Sequence, residues 1–152
     1  MAPPTRWFED FSPGTVTSFG EFVMTEAEIV DFAARYDPQP FHLDAEAARS
    51  SIFGGLIASG WNTAAVVMRM LVDHYISPES SLGSPGIDEL RWLKPVRPGD
   101  RLGVRVTVLE CIPSRSKPDR GVIRSLTEAL NQHGEVVMSL RGMTMLRTRP
   151  KG

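Results

Sequence analysis

An aspartate, a histidine five positions later and a glycine at the head of an apolar run are residue types that can move protons and steady a developing negative charge. Asp37 and His42 stand in Tyr36-Asp37-Pro38-Gln39-Pro40-Phe41-His42-Leu43-Asp44, and Gly60 closes Phe53-Gly54-Gly55-Leu56-Ile57-Ala58-Ser59-Gly60. A carboxylate and an imidazole are two of the common carriers in general acid/base catalysis. A backbone N–H in the first turn of a helix is an unsatisfied donor, favoured by the helix dipole, for an oxyanion. Glycine at that place also lets a substrate come close to the backbone. Each residue alone has an ordinary reading: aspartate before proline is a normal turn residue, and a lone histidine can be an imidazole bonded to backbone. Their combination, with Pro40 fixing the path between them, points to a site. Gly54-Gly55 reads equally as a flexible turn or as a gap that lets a bound ligand pass close to the backbone.

For these groups to meet, one helix must end before Asp37 and another must begin at Gly60. After a Trp7-Phe8 anchor and a Ser12-Pro13-Gly14 turn, Thr15 to Met24 is predicted as a strand. Thr25-Glu26-Ala27-Glu28 matches a capping box, Ile29, Phe32 and Ala33 share one helical face, and Pro38 stops the helix at the residue before it. Asp44 to Arg49 has a good cap but little apolar face, so one or two surface turns are expected. From Gly60 to about Ile76, Trp61, Ala64, Ala65, Met68, Leu71, Val72 and Tyr75 keep helical spacing while Val66, Val67 and Met70 fill much of the rest, which predicts a helix buried nearly all round.

The remainder is strand-like: Gly86 to Val96, Arg101 to Cys111, Gly121 to Leu130 and Glu135 to Arg147, with Leu102, Val104, Val106 and Val108 in alternation. Arg97 to Asp100, Pro113 to Asp119 and Asn131 to Gly134 are turn segments of hairpin type, so the strands read as a meander. One long buried helix followed by long strands predicts an α+β domain over residues 1–152, an antiparallel sheet wrapped around a long central helix.

A net charge of -1 with scattered Lys and Arg gives no reason to expect nucleic acid. Arg115, Lys117 and Arg120 read as a solvated hairpin loop in preference to a phosphate site. Cys111 is the one cysteine, so a disulfide framework is excluded and a reducing, cytoplasmic setting is expected. The start lacks a signal-peptide pattern and no run reaches membrane-spanning length, so no membrane association is expected. Met68 and Met70 read as core. His42 and Asp44 lack a supporting ligand set, since His74 and His133 fall in other elements, so no metal is expected.

The Asp37 to Asp44 run together with Phe53 to Gly60 resembles the hydratase motif of MaoC-like dehydratases, hot-dog-fold proteins that include (R)-specific enoyl-CoA hydratases. The later Arg91 to Asp100 looks like the strand and turn that follow their central helix, so the resemblance covers nearly the whole chain. It implies addition of water across a trans-2-enoyl thioester, or the reverse dehydration, at a dimer interface. It also implies Asp37 and His42 as the catalytic pair, the Gly60 N–H as oxyanion donor, a CoA or acyl-carrier thioester as substrate and no further cofactor. A homodimer, or an oligomer built from dimers, is the expected assembly; pairing of exposed sheet edges gives a physical reason for it. Two departures bear on specificity: Gln39 stands where Asn is usual, with a looser loop expected, and Trp61 follows Gly60 where a smaller residue is common, with a narrowed acyl pocket expected. An acyl-CoA thioesterase, and a non-catalytic acyl-CoA-binding or assembly subunit, are the competing functions for the same fold. The paired spacing of Asp37 and His42 argues against the first, because hydrolysis on this fold does not need it.

Overall fold

A computed structural model describes residues 4–152. Met1 to Pro3, which the sequence reading includes in the domain, lie outside the described residues. A 3-10 turn at Phe8–Asp10 leads into β1 (Val16–Val23), and four helical segments follow: α1 (Glu26–Tyr36), α2 (Pro40–Leu43), α3 (Ala45–Arg49) and α4 (Gly60–His74). The chain then forms β2 (Ile87–Trp92), β3 (Arg101–Pro113), β4 (Arg120–Leu130) and β5 (Val136–Arg147). All pairings are antiparallel, in the order β1-β3-β4-β5-β2. Among the described residues no helix is long and apolar enough to cross a membrane.

The sheet curves around α4 as expected. Val66, Val67 and Met70 on α4 meet Leu102, Val104 and Val106 of β3, Ala129 of β4, and Val137 and Met138 of β5 in one buried cluster. The alternation in β3 places those valines and Leu102 on the same face, toward the helix. Close approach at β1 depends on Gly20. Its φ of +82° marks an irregularity in the strand between Phe19 and Phe22, and a Cβ there would lie 2.7 Å from Met70 Sδ.

Two expectations are corrected. The strands are not one meander: β3, β4 and β5 are, but β2 lies beyond β5 at the far edge. The Arg97 to Asp100 turn is therefore a crossover. Leu93 N still donates to Val137 O beside β5, while Met24 N, just past β1, donates to Asp100 O, so segment 93–100 carries the chain across the end of the sheet. Second, α4 is not buried all round. The sheet covers one face, and Trp61, Ala65, Met68 and Val72 form an exposed stripe at helical spacing. The short α3 is the mostly exposed helical turn expected, tied to the core by Ala48.

Candidate active site

Local sequence rules set the two catalytic candidates side by side. Thr25 caps α1 by accepting from Glu28 N at 3.1 Å. The last bond of that helix runs from Asp37 N to Ala33 O at 2.8 Å, after which Pro38 forces the chain away. Pro40, at the first helical position of α2, then starts a single turn that carries His42 back toward the aspartate. His42 Nε2 stands 3.2 Å from Asp37 Oδ2. The imidazole is buried, with 6% of its side chain exposed, and the carboxylate keeps 19%, so the pair is reached from the aspartate side.

The other ring nitrogen defines the tautomer. His42 Nδ1 lies 2.7 Å from the carbonyl oxygen of Ile57. A carbonyl can only accept, so Nδ1 carries a hydrogen and Nε2 is the nitrogen left to exchange a proton. Ile57 is itself held: its N–H donates to Phe41 O, and the next residue, Ala58, donates to Val96 O.

Asp37 has further partners. Gln39 Nε2 donates to Oδ1 at 2.6 Å. Burial alone pushes the Asp37 carboxyl up, but hydrogen bonds from Gln39 and Ser59 and the field of His42 outweigh it and hold the group below its ordinary value. Asp37 is thus an ionised acceptor at neutral pH. Gln39, where the sequence predicts a looser loop, reaches back with its side chain to the carboxylate.

Ser59 links this pair to α4. Its fully buried oxygen caps the helix by accepting from Trp61 N at 3.3 Å, and its hydroxyl is near enough to Asp37 to help hold that carboxyl down. Gly60 follows as the first helical residue. Its N–H has no hydrogen-bond acceptor among the described residues, while its carbonyl accepts from Trp92 Nε1 at 2.8 Å. The structure therefore brings Asp37, His42 and the start of α4 into one neighbourhood through Ser59.

Other sequence candidates have simpler surroundings. Gly54 has φ of +68°, as a turn requires, and Arg97 Nη2 donates to Phe53 O at 2.6 Å across the same loop. Arg120 pairs with Asp119. Trp61 is 60% exposed and packs edge-on against Trp92, with ring centroids 5.0 Å apart. It does not line the partly open cavity of about 210 Å³ between the C-terminal half of α4 and the sheet, whose walls include Leu71, Tyr75, Ile87, Leu140, Met143 and Leu146. Sequence reasoning missed Gln39 as a partner of Asp37, Ser59, the Ile57 carbonyl and Trp92. The serine was findable as an N-cap residue before an apolar helix.

A family model for the MaoC like domain matches residues 10–129. This chain belongs to the MaoC-like family. The solved MaoC-like dehydratase of Rhodospirillum rubrum is 44% identical to it, with a TM-score of 0.90 over 96% of this chain and 99% of that one. A 3-hydroxybutyryl-CoA dehydratase of Methylorubrum extorquens is 30% identical over 144 residues, 92% of this chain and 88% of that protein. The (R)-hydratase PhaJ1 of Pseudomonas aeruginosa is 24% identical and shares the fold, with a TM-score of 0.72 over 96% of this chain and 92% of its own. The architecture of this MaoC-like chain is accordingly the hot-dog fold.

Proposed function

We propose that this protein is a hydro-lyase acting on acyl thioesters, adding water reversibly to a trans-2-enoyl-CoA or acyl-carrier thioester to give the 3-hydroxyacyl thioester. The observation that carries the reading is the 3.2 Å approach of His42 Nε2 to Asp37 Oδ2 beside the open N-terminus of α4. Water attacking C3 must lose a proton and C2 must gain one. The Asp37–His42 pair takes the first and returns the second, so H and OH add across the double bond with no change in oxidation state of any other group. Negative charge gathers on the thioester oxygen as the enolate forms, and the unpaired Gly60 N–H meets it there. The likeness to a 3-hydroxybutyryl-CoA dehydratase supports the same substrate class.

The acting unit in this proposal is a homodimer. β2 is an edge strand, Ile87 and Trp92 on it are exposed, and the apolar stripe of α4 is exposed as well. Antiparallel pairing of two β2 edges removes both liabilities. Gly60 lies against the Trp92 end of β2 and the apolar cavity against its Ile87 end. The same pairing therefore turns each cavity toward the partner's catalytic pair, where it offers room for an acyl chain.

The test is incubation with crotonyl-CoA and longer enoyl-CoAs. Loss of enoyl absorbance without free thiol supports hydration. Release of free thiol means hydrolysis, and saturable binding without product means a non-catalytic subunit.

A further inference from the structure

Glycine opens α4 at a price in order. With no side chain, Gly60 has broad freedom in φ and ψ, and its N–H direction is not settled by the residue itself. Ser59 restrains it from the N-terminal side, where Ser59 O accepts from Asn62 N at 2.9 Å and Thr63 N at 3.2 Å. The restraint from the other side is Trp92. Its Nε1 donates to Gly60 O at 2.8 Å, and a Cβ placed on Gly60 would fall 2.6 Å from that nitrogen, so the indole lies directly against the glycine. A side chain at position 60 is thus excluded by the indole as well as by the needs of any ligand.

Trp92 is suited to act as a fixed reference. It ends β2, its backbone is in register with Met138 of β5, and Met138 is fully buried. The next residue, Leu93, donates to Val137 O at 2.8 Å. The indole is therefore anchored to the sheet, while Asp37 and His42 are anchored to α1 and α2. The edge contact with Trp61 braces the ring from a second direction.

We propose that Trp92 is a positioning residue for the Gly60 amide: its ring N–H and its packing hold the peptide planes around Gly60 so that the free N–H points at the thioester oxygen. This rests on the hydratase reading above. The oxygen becomes strongly negative only as the enolate forms, so the contribution falls on the chemical step more than on substrate binding.

The experiment uses W92F, which keeps an aromatic ring against Gly60 and deletes the N–H donor. Enoyl-CoA hydration by W92F should show kcat lowered about 10- to 100-fold with KM within about twofold of wild type, because a displaced oxyanion donor costs rate on that order. The acid limb of the pH profile should stay in place, since the substitution leaves Asp37 and its partners Gln39 and His42 untouched. A second readout is the red shift in absorbance of bound 4-(dimethylamino)cinnamoyl-CoA, whose thioester carbonyl polarises against an oxyanion donor. Wild type should show the shift, and W92F should show a smaller one at saturation. Unchanged kcat, or a kcat loss with the full red shift retained, would overturn the role of Trp92. Absence of both hydration and red shift in wild type would instead overturn the hydratase reading on which it rests.

Discussion

The Nδ1 of His42 and the carbonyl oxygen of Ile57, fifteen residues apart in the chain, are 2.7 Å apart in space, and that bond leaves Nε2 facing Asp37. Asparagine can reproduce the Nδ1 donor but nothing at Nε2. H42N should therefore keep most of the wild-type stability while losing about 10²- to 10⁴-fold in kcat/KM. Thermal unfolding and steady-state hydration measured on the same preparation check both halves. H42A, which also orphans the Ile57 carbonyl, should be less stable than H42N.

Gln39 lowers the Asp37 carboxyl by donating to its charged form. Q39A should move the acid limb of the pH–rate profile to higher pH, with a larger loss of activity near pH 5 than near pH 8. Stability has the same sign. A carboxyl held below its ordinary value stabilises the fold fully above the ordinary carboxylate range, and that contribution fades as pH falls through the folded value. Acid unfolding of Q39A should accordingly begin at higher pH than that of wild type. An unmoved acid limb would show that Asp37 does not govern it.

Ser59 caps α4 and also helps hold the Asp37 carboxyl below its ordinary value. S59A should cost about 1 kcal/mol as a lost helix cap, a fall of about 2–4 °C in Tm, and should shift the acid limb in the same direction as Q39A. Urea denaturation and a pH–rate profile report the two effects separately.

The exposed stripe on α4 predicts the assembly. M68E with V72E places two charges where an apolar contact is proposed, and should convert a dimeric wild type to monomer with loss of activity. Sedimentation velocity reads the mass directly. A wild-type protein that sediments as an active monomer would remove the dimer from the account.

Gly20 tests how α4 seats on the sheet. G20A puts a Cβ on a residue with φ of +82° and beside Met70, so a loss of about 1–2 kcal/mol is expected from the backbone alone. M70A should not restore it, since removing the neighbouring side chain leaves the backbone strain in place. Equilibrium unfolding of both variants measures this.

Much of the fold was legible because the signals are local. Leu102, Val104, Val106 and Val108 alternate, and all four are buried in β3. Thr25 caps α1 where its spacing to Glu28 implies. The position of β2 was not legible, because nothing within Ile87–Trp92 encodes that its neighbour is β5 and not β3. The exposed stripe of α4 was hidden for a related reason: apolar residues on every side of a helix look the same whether a sheet or another surface covers them. In the site, the closeness of Asp37 and His42 followed from two prolines and a short spacing. The partners that tune them did not. Ile57 contributes a carbonyl, which every residue has, and Trp92 reaches Gly60 from 32 residues away.

The most direct test of the account is steady-state hydration of an accepted enoyl-CoA by wild type and by D37N, with folding verified by circular dichroism. The account predicts a loss of about 10²- to 10⁴-fold in kcat/KM for a folded D37N, with no free thiol released by wild type. A folded D37N that turns over within about threefold of wild type would contradict it, far short of the loss expected when one of the proposed proton carriers is removed.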